Sequence, residues 1–397
     1  MTARPRILFL CPQPFFRWRG SPLRVAFDVQ ALSESGYGVD LVTMPVGEDH
    51  PIPGVRHVRA RNIIGAKELP IGPSPQKAVL DLALAAAAAR LVKQNRYVAV
   101  HGVEDAGAIA AFLGRKHGIP VVFEKHSDPA SYKKGIVRAA VLAAYRAVER
   151  RSIRAASLVL ATGPALAEQA KAVARPGTIV RAVHDIPSSL AEATAEGARA
   201  AREALALPDG AVLALYVGSF AVYQGIDLLV DALGKALARV PDLHAAIVGG
   251  NAEEIAARKR QLEAADPAIA SRVRFLGMRA PDTLPDLFAA ADILLSPRTQ
   301  GTNTPLKLLD YAKAARAVVA CDIPANRLIL SEENALLAPP SAEGFAAALA
   351  RVAEDAALRQ RLGEAAGRLY RETYNYAHFR GLLAGAYSDM LSGETAE

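Results

Sequence analysis

The chain alternates short apolar runs with longer amphipathic stretches, and this alternation restricts its fold more than any other feature. Near the start, apolar runs at residues 7–11 and 39–43 flank an amphipathic stretch at 22–35, which Gly36 and Gly38 close. Such runs predict buried strands, and the stretch between them predicts a helix. Strands separated by helices predict a parallel sheet, because each helix carries the chain back across the sheet.

The alternation continues through the first half and begins again in the second half. In the first half we predict helices at 75–93, 106–117 and 136–156, and strands at 97–101, 121–124, 158–161 and 179–183. A turn at 184–189 separates the halves. In the second half we predict strands at 212–217, 245–248, 273–276, 293–295 and 318–321, and helices at 227–239, 252–265, 284–290 and 305–314.

A length of 397 residues exceeds what one hydrophobic core ordinarily serves. We therefore predict an α/β protein with two Rossmann-like, doubly wound parallel-sheet domains, residues 1–187 and 188–373. Ligands of such folds bind outside the carboxyl ends of the strands, so we expect an interdomain cleft. The helical segment at 374–397 is expected to pack back on the first domain, although the sequence equally permits packing on the second.

Composition excludes several classes of protein. A chain that is 51% hydrophobic and 22% charged is typical of a globular protein, not a disordered one. No apolar stretch approaches the roughly 20 residues that span a bilayer, and the apolar run at the start is too short for a signal sequence. We therefore predict a cytoplasmic protein. Cys11 and Cys321 each end an apolar run, which favours reduced core thiols over a disulfide or a metal site.

Positive charge is concentrated in the first half. Residues 1–190 carry 26 lysines and arginines against 14 acidic residues, whereas the rest of the chain is net acidic. The imbalance indicates an anionic partner, either a phosphate-bearing acceptor or the inner face of a membrane, with solubility as the plainer alternative. The basic helix at 136–156 fits peripheral contact with anionic lipid, and it equally fits a core helix with a solvated basic side. No motif indicates a nucleic-acid partner.

Three loops carry residue types that suit a phosphate ligand. The first, residues 17–22, precedes a helix and includes Gly20 and Ser21. Free N–H groups at a helix start favour anions, although a strand–turn–helix connection looks much the same without a ligand. No G-x-G-x-x-G follows a predicted strand, which argues against a nicotinamide or flavin enzyme.

The second and third loops lie in the second half. Residues 218–227 leave its first strand with glycines near both ends of the loop. In the third loop, residues 296–312, Thr304 is expected to cap a helix that begins at Pro305. Lys307 and Asp310 then share a helical face, where the lysine suits a diphosphate and Asp310 suits ribose hydroxyls. The alternative is an ordinary capped helix with a surface Lys–Asp pair.

Several motifs, taken in order and spacing, resemble the family 4 glycosyltransferases over nearly the whole chain. They include Val217-Gly218-Ser219, Gln224-Gly225-Ile226-Asp227, Arg274-Phe275-Leu276-Gly277, Thr304-Pro305-Leu306-Lys307, Asp310-Tyr311, and, in the first half, Arg19-Gly20-Ser21, His101 with Glu104, and Glu124-Lys125-His126. The resemblance implies the GT-B fold, a nucleotide diphosphate sugar donor of the UDP or GDP type, retention of anomeric configuration, and no metal ion. The chain has no Asp-x-Asp loop, which supports the metal-free prediction.

By position, the resemblance places His126 near the donor sugar, Gly20 beside the diphosphate, Lys307 close to the phosphates, and Asp310 at the ribose. The predicted catalytic residues are therefore His126, Lys307 and Asp310. The predicted donor-binding residues are Gly20, Ser21, Gly218, Ser219, Gln224, Arg298, Thr302, Asn303, Thr304 and Leu306. Neither a metal ligand nor a resident cofactor is predicted, because the nucleotide sugar is a co-substrate.

The chain departs from the family pattern at three positions. Thr302 stands where the family has a glutamate, with Asn303 beside it. Ser219 and Gln224 stand where an arginine and a lysine commonly neutralise the diphosphate. A leaving diphosphate still requires stabilisation of its charge. We therefore expect Lys307, Arg298 and helix amides to supply it.

The leading hypothesis is a glycosyltransferase that acts on a saccharide or a lipid-linked acceptor. A catalytically silent GT-B partner protein is one alternative, because Ser219, Gln224 and Thr302 are neutral. A sugar-nucleotide epimerase of the same fold is another, and it would interconvert donors without any acceptor.

Overall fold

A computed structural model describes residues 4–16, 20–69, 74–128, 136–301 and 304–393, except for the side chains of 136–141. The chain divides into two compact units. The first comprises Met1–Asp185 with Tyr376–Glu397, and the second comprises Ile186–Asn375. Each unit has its own parallel sheet and its own core.

The strands of the first unit are β1 (Arg6–Cys11), β2 (Gly38–Thr43), β3 (Val55–Arg59), β4 (Ala99–Val103), β5 (Val121–Lys125), β6 (Leu158–Ala161) and β7 (Ile179–Ala182). Its helices include α1 (Gly20–Glu34), α2 (Pro75–Gln94), α3 (Ala106–His117), α4 (Ile136–Ala155) and α5 (Pro164–Lys171). The strand order is β3-β2-β1-β4-β5-β6-β7. The chain moves outward from β1 in one direction and then from β4 in the other, which is the doubly wound arrangement.

The central strands of this sheet are buried on both faces. Every residue of β1 after Arg6 is buried, and so is every residue of β4. Phe9 lies opposite Leu41 on one neighbouring strand and His101 on the other. Strands covered on both faces need nearly continuous apolar sequence, so a polar residue such as His101 within them requires a buried partner.

The second unit repeats the architecture with six strands. They are β8 (Val212–Val217), β9 (Leu243–Val248), β10 (Val273–Gly277), β11 (Ile293–Ser296), β12 (Ala317–Cys321) and β13 (Leu336–Ala338), in the order β10-β9-β8-β11-β12-β13. Its helices are α6 (Ala195–Ala204), α7 (Ile226–Arg239), α8 (Ala252–Ala265), α9 (Pro267–Ala270), α10 (Leu284–Ala290), α11 (Lys307–Ala314), α12 (Ala342–Glu354) and α13 (Ala356–Leu369).

Alternate residues of β8 enter two different cores. Val212, Ala214 and Tyr216 pack on one face of the sheet, and Leu213 and Leu215 pack on the other. Successive side chains of a strand point to opposite faces, so an apolar strand of this kind holds helices on both sides.

The last helix, α14 (Tyr376–Ser392), belongs to the first unit. It contacts α1, β6 and β7, and Phe379, Leu383 and Tyr387 are buried there. Its apolar residues thus complete the core of that unit.

The helices and strands predicted from the sequence are present, with ends that differ by a residue or two. The elements that were not predicted are β3, α5, α6, α9, β13, α12 and α13. Weak apolar pattern explains two of them. In β3 the sequence VRHVR leaves no residue fully buried, and α6 buries none of its residues. Among the described residues, no helix is long and apolar enough to cross a bilayer.

Candidate active site

Two neighbouring strands of the second unit end beside each other and lead into the loops predicted to bind the donor. β8 ends at Val217, just before Gly218, and its neighbour β11 ends at Ser296. A Cβ added at Gly218 would lie 2.7 Å from the Tyr216 hydroxyl oxygen and 3.1 Å from Lys307 Nζ. Only glycine therefore fits there without displacing these groups.

The Lys307 ammonium group is buried at this corner. Among the described residues its Nζ has no hydrogen-bond partner, and it lies 4.6 Å from the centre of the Tyr216 ring. Burial lowers the pKa of Lys307 to about 7, and the positive charge of Arg298 contributes to the decrease. A buried ammonium group without a partner is unfavourable. The arrangement therefore favours an anionic ligand that pairs with it.

Three other predicted donor-binding residues lie at the same sheet edge. The Oε1 atom of Gln224 is buried and has no hydrogen-bond partner within the described part of the chain. Arg298 is buried; its Nε donates to a nearby backbone carbonyl (2.7 Å), and its guanidinium lies 5.6 Å from the centre of the Tyr223 ring. Ser219 is exposed, and its carbonyl oxygen accepts a hydrogen bond from the Tyr216 hydroxyl (2.9 Å).

The start of α11 differs from the prediction. The helix begins at Lys307 with Leu306 at the N-cap, so Thr304 does not cap it and Pro305 is not its first residue. The carbonyls of Pro305 and Leu306 instead accept hydrogen bonds from the N–H groups three residues further on (2.9 Å each). This tight turn precedes the regular helix and places Thr304 outside it. The predicted residues Thr302 and Asn303 lie outside the described part of the chain.

Asp310 does not pair with Lys307. Its Oδ1 accepts hydrogen bonds from the backbone N–H of Ser188 (2.7 Å) and from the Ser188 hydroxyl (3.0 Å). Burial raises the pKa of Asp310 to about 7, against the opposing effects of Ser188 and the nearby Lys313. The alternative of a surface Lys–Asp pair is wrong, because both charged groups are buried and have different neighbours.

A small cavity lies beside Asp310, lined by Ser188, Pro281, Pro285 and Lys313 among others. Its volume is about 40 Å³. The ribose-binding role of Asp310 stays a prediction.

In the first unit, His126 directly follows β5 and its imidazole is buried. Its Nδ1 lies 2.5 Å from Ser21 Oγ in the first turn of α1, so two predicted site residues are in contact. Gly20, at the start of the same helix, is exposed. The backbone N–H of His126 donates to the carboxylate of Glu104 (2.6 Å). The backbone of Glu104 has a φ of +47°, which is rare for a residue other than glycine.

Buried carboxylates favour the protonated form of His126. Burial alone would lower the pKa of His126, but the charges of Glu124 and Glu104 outweigh burial and leave that pKa raised. Its Nε2 lies 3.0 Å from Glu124 Oε1 in an ion pair that is not aligned as a hydrogen bond. Burial would raise the pKa of Glu124, but His126, Arg24 and a hydrogen bond from His101 hold it well below its usual range. The surroundings of the pair therefore favour an imidazolium beside a carboxylate.

Asp28, Glu124 and His126 present ligand atoms within 4.8 Å of one another, a spacing that suits a metal ion. Arg24 Nε, however, lies 3.1 Å from Asp28 Oδ1 and 3.2 Å from Glu124 Oε1. The guanidinium thus occupies the space between both carboxylates, and burial raises the pKa of Asp28 well above its usual range despite Arg24. We interpret the group as an ion-pair network around His126.

Sequence reasoning missed several residues of these two centres. Arg24 and Asp28 lie in an amphipathic helix, Tyr216 lies within an apolar strand, and Tyr387 is one of the spaced apolar residues of the last helix. Each therefore looks like an ordinary structural residue. The spacing of Arg24 and Asp28, four apart on one helix, was the available signal for a buried ion pair. No sequence signal joins Tyr387 to His126, because 261 residues separate them.

Two family models match the chain. The one described as "Glycosyl transferase 4-like domain" matches residues 20–185, and the one described as "Glycosyl transferases group 1" matches residues 211–355. Together they cover most of both units.

Individual proteins are similar over different lengths. Phosphatidyl-myo-inositol mannosyltransferase of Mycolicibacterium smegmatis is 34% identical over 139 residues, 34% of each chain, so the match spans about a third of that relative. Sucrose-phosphate synthase from Thermosynechococcus elongatus has a TM-score of 0.74 at 20% identity, covering 98% of this chain and 100% of that chain. HepE of Anabaena in complex with UDP has a TM-score of 0.73 at 17% identity, covering 97% and 100%. These two structures share the fold.

Proposed function

This chain belongs to the family 4 glycosyltransferases and has the GT-B fold, and from that premise we propose that it transfers a sugar from a nucleotide diphosphate sugar to a saccharide or lipid-linked acceptor. The observation that carries the proposal is the buried Lys307 Nζ, which lacks a partner beside Gly218 among the described residues. A diphosphate would supply the missing negative charge. The buried Gln224 Oε1 would accept from a ligand hydroxyl at the same edge.

The donor belongs to the second unit in this proposal, and a phosphate-bearing or lipid-linked acceptor belongs to the basic first unit. A donor of the UDP type is favoured by the similarity to HepE, which binds UDP. A lipid-linked acceptor is favoured by the similarity to the mannosyltransferase of phosphatidyl-myo-inositol. GDP-type donors and saccharide acceptors remain within the proposal, because similar folds serve different ligands.

The reaction is proposed to retain anomeric configuration without a divalent metal. Lys307 and Arg298 would neutralise the leaving diphosphate in place of a cation. His126 is proposed to act near the donor sugar through Ser21, whose hydroxyl oxygen lies 2.5 Å from its Nδ1, while its Nε2 faces Glu124. NMR of the glycoside product tests the stereochemistry, and undiminished turnover in excess EDTA tests the metal independence.

A nucleotide panel provides the first test. Wild type and Lys307→Met are heated with UDP, GDP, ADP or inorganic pyrophosphate, and the matched control is Lys259→Met, an exposed lysine of α8. We expect UDP or GDP to raise the melting temperature of wild type and of the control but not of Lys307→Met. Absence of any nucleotide effect on wild type would refute the proposal.

Turnover separates the remaining functions. UDP- and GDP-hexoses are incubated with inositol phospholipid or simple saccharides, and released nucleotide diphosphate is measured. Acceptor-dependent release supports the transferase. Nucleotide binding without turnover on any acceptor would favour the silent partner protein, which the neutral Ser219 and Gln224 motivate. Conversion of one donor into another without acceptor would favour an epimerase.

We also propose that the first unit contacts anionic membrane at its periphery. Arg146, Arg150 and Arg154 are exposed and follow one another at one-turn spacing on α4. Such a face attracts anionic headgroups. Flotation with phosphatidylglycerol vesicles should recover wild type, and replacement of the three arginines by glutamine should abolish recovery. Equal recovery with neutral phosphatidylcholine vesicles would contradict an electrostatic contact.

A further inference from the structure

A connected series of polar side chains runs through the first unit from α1 to the C-terminal helix. Ser21 Oγ lies 2.5 Å from His126 Nδ1, and His126 Nε2 lies 3.0 Å from Glu124 Oε1. The other oxygen of the same carboxylate, Oε2, lies 2.9 Å from His101 Nε2. His101 Nδ1 lies 2.7 Å from the hydroxyl of Tyr387 on α14. The side chains of His101, Glu124 and Tyr387 are buried, so solvent does not replace a missing link.

The charges of this series determine where its protons lie. Because Glu124 is ionised, the Nε2 atom of His101 carries a proton and donates it to Oε2. Burial lowers the pKa of His101 despite the carboxylate, so the imidazole is neutral and its Nδ1 is an acceptor. Burial raises the pKa of Tyr387, so its hydroxyl keeps its proton and donates to Nδ1. Tyr387 and Glu124 therefore favour the same tautomer of His101, with the proton on Nε2.

Helix α14 touches the same network at a second point. The ring of Phe379 lies 4.7 Å from the guanidinium carbon of Arg24. Arg24 pairs with Asp28 and Glu124, and it also donates to the backbone carbonyls of residues 183 and 184. Helix α14 therefore contacts both groups that interact with the Glu124 carboxylate, the Arg24 guanidinium through Phe379 and the His101 imidazole through Tyr387.

We propose that α14 sets the protonation and orientation of His126 from a distance, with Tyr387 and His101 as positioning residues that act through the Glu124 carboxylate. Among the described residues, the ionisable groups that interact with His126 are Glu124, Glu104, Arg24, Asp28 and His101, and the first of these is its ion-pair partner. Without the Tyr387 hydroxyl, the Nδ1 lone pair of His101 is buried without its donor, and the Nε2–H bond to Oε2 loses the polarisation that this donor supplies. Oε2 would then accept a weaker hydrogen bond, and Glu124 would ionise less readily. The imidazolium of His126 would lose part of its stabilising charge.

The first test measures the pKa of His126 directly and does not depend on transferase activity. The imidazole signal is followed against pH by two-dimensional ¹H–¹⁵N NMR and assigned by its absence in His126→Asn. Tyr387→Phe removes one hydroxyl and leaves the shape of the core. The matched control is Tyr376→Phe on the same helix, whose hydroxyl donates to Glu34 outside this series. We expect the pKa of His126 to fall by about one unit in Tyr387→Phe and to remain at the wild-type value in the control.

A pair of variants at His101 provides an independent check. His101→Gln places an amide N–H near the position of Nε2 and keeps a donor for Glu124. His101→Asn reaches only to the position of Nδ1 and leaves Oε2 without a donor. We expect His101→Gln to preserve the pKa of His126 and His101→Asn to lower it. An unchanged pKa in both Tyr387→Phe and His101→Asn, with the fold intact by circular dichroism, would overturn the inference.

The kinetic half of the test rests on the proposed function. If His126 acts on the donor sugar, Tyr387→Phe should lower kcat about tenfold near neutral pH while the donor KM changes less than about twofold. The pH profile of kcat should move in the same direction as the NMR titration. Should wild type transfer no sugar at all, the proposed function fails, and the NMR titrations still decide the inference.

Discussion

Replacement of Lys307 by methionine should have opposite effects on the free protein and on ligand binding. Methionine has a similar length and no charge, and in the free protein it removes an ammonium group that is buried without a described partner. The pKa of Lys307 falls from 10.5 to about 7, mainly through burial. A decrease of that size corresponds to at most about 5 kcal/mol of unfolding free energy, and partial relaxation of the site reduces it to about 2 kcal/mol.

The increase in stability caused by Lys307→Met should depend on pH in a defined direction. The native state binds the Lys307 proton more weakly than the unfolded chain does, so this group destabilises wild type fully below about pH 7. The destabilisation fades as pH rises toward 10.5. Lys307→Met should therefore increase the urea midpoint by roughly 1 M near pH 6, for a slope of about 2 kcal/mol per molar, and by less near pH 9. The control Lys259→Met, at an exposed lysine, should leave the urea midpoint unchanged at both pH values.

Lys307→Met should, by contrast, weaken nucleotide binding. A diphosphate that pairs with the ammonium stabilises wild type by mass action, and the methionine variant lacks that partner. The assay is urea unfolding at two pH values with and without UDP or GDP. Two results would refute the reasoning: a lower midpoint of Lys307→Met near pH 6 without nucleotide, or a nucleotide-dependent increase as large as that of wild type.

Two further substitutions test neighbouring features of the second unit. Gly218→Ala should weaken UDP or GDP binding about tenfold by calorimetry and also lower the urea midpoint, because the new methyl would displace the buried Tyr216 hydroxyl and Lys307 Nζ. An unchanged Kd would show that this corner does not face the nucleotide. Asp310→Asn should raise the urea midpoint near pH 8 and leave it unchanged near pH 4. The pKa of Asp310 is raised to about 7 in the folded protein, so its ionised form destabilises the fold at pH 8, whereas near pH 4 the carboxyl is largely protonated in the folded protein. Equal changes at both pH values would contradict this account. The amide oxygen would still accept the hydrogen bonds from Ser188.

The sequence was a good guide where burial dictates pattern. Strands such as β8 are covered on both faces, so they need continuous apolar sequence and can be located from it. An edge strand such as β3, with VRHVR, has no such requirement. Helix α6 has no buried residue, and its sequence therefore lacks the apolar stripe on which a prediction depends.

The candidate site shows a different limit. Gly218, Gln224, Arg298 and Lys307 lie at one sheet edge, as their loop positions indicate, because parallel strands end together. Their role in donor binding stays a prediction. Sequence spacing does not determine where a long side chain goes. Lys307 reaches the Tyr216 ring and Asp310, three residues later, reaches Ser188. Those side-chain directions depend on tertiary neighbours that are distant in sequence. The spacing of two residues on a helix carries no information about such neighbours.

The position of Lys307 also bears on the two cations that the second unit lacks. The family commonly carries an arginine and a lysine on the loop after β8, where this chain has Ser219 and Gln224. Lys307 comes from α11, yet its Nζ reaches the start of that same loop, 3.1 Å from where a Gly218 side chain would begin. Arg298, after the neighbouring strand, is close enough to lower the pKa of Lys307. Two cations therefore converge on the loop from other elements, and electrostatic stabilisation depends on where charge is placed, not on which element carries it. On that reasoning the neutral loop is compatible with catalysis as long as Lys307 remains.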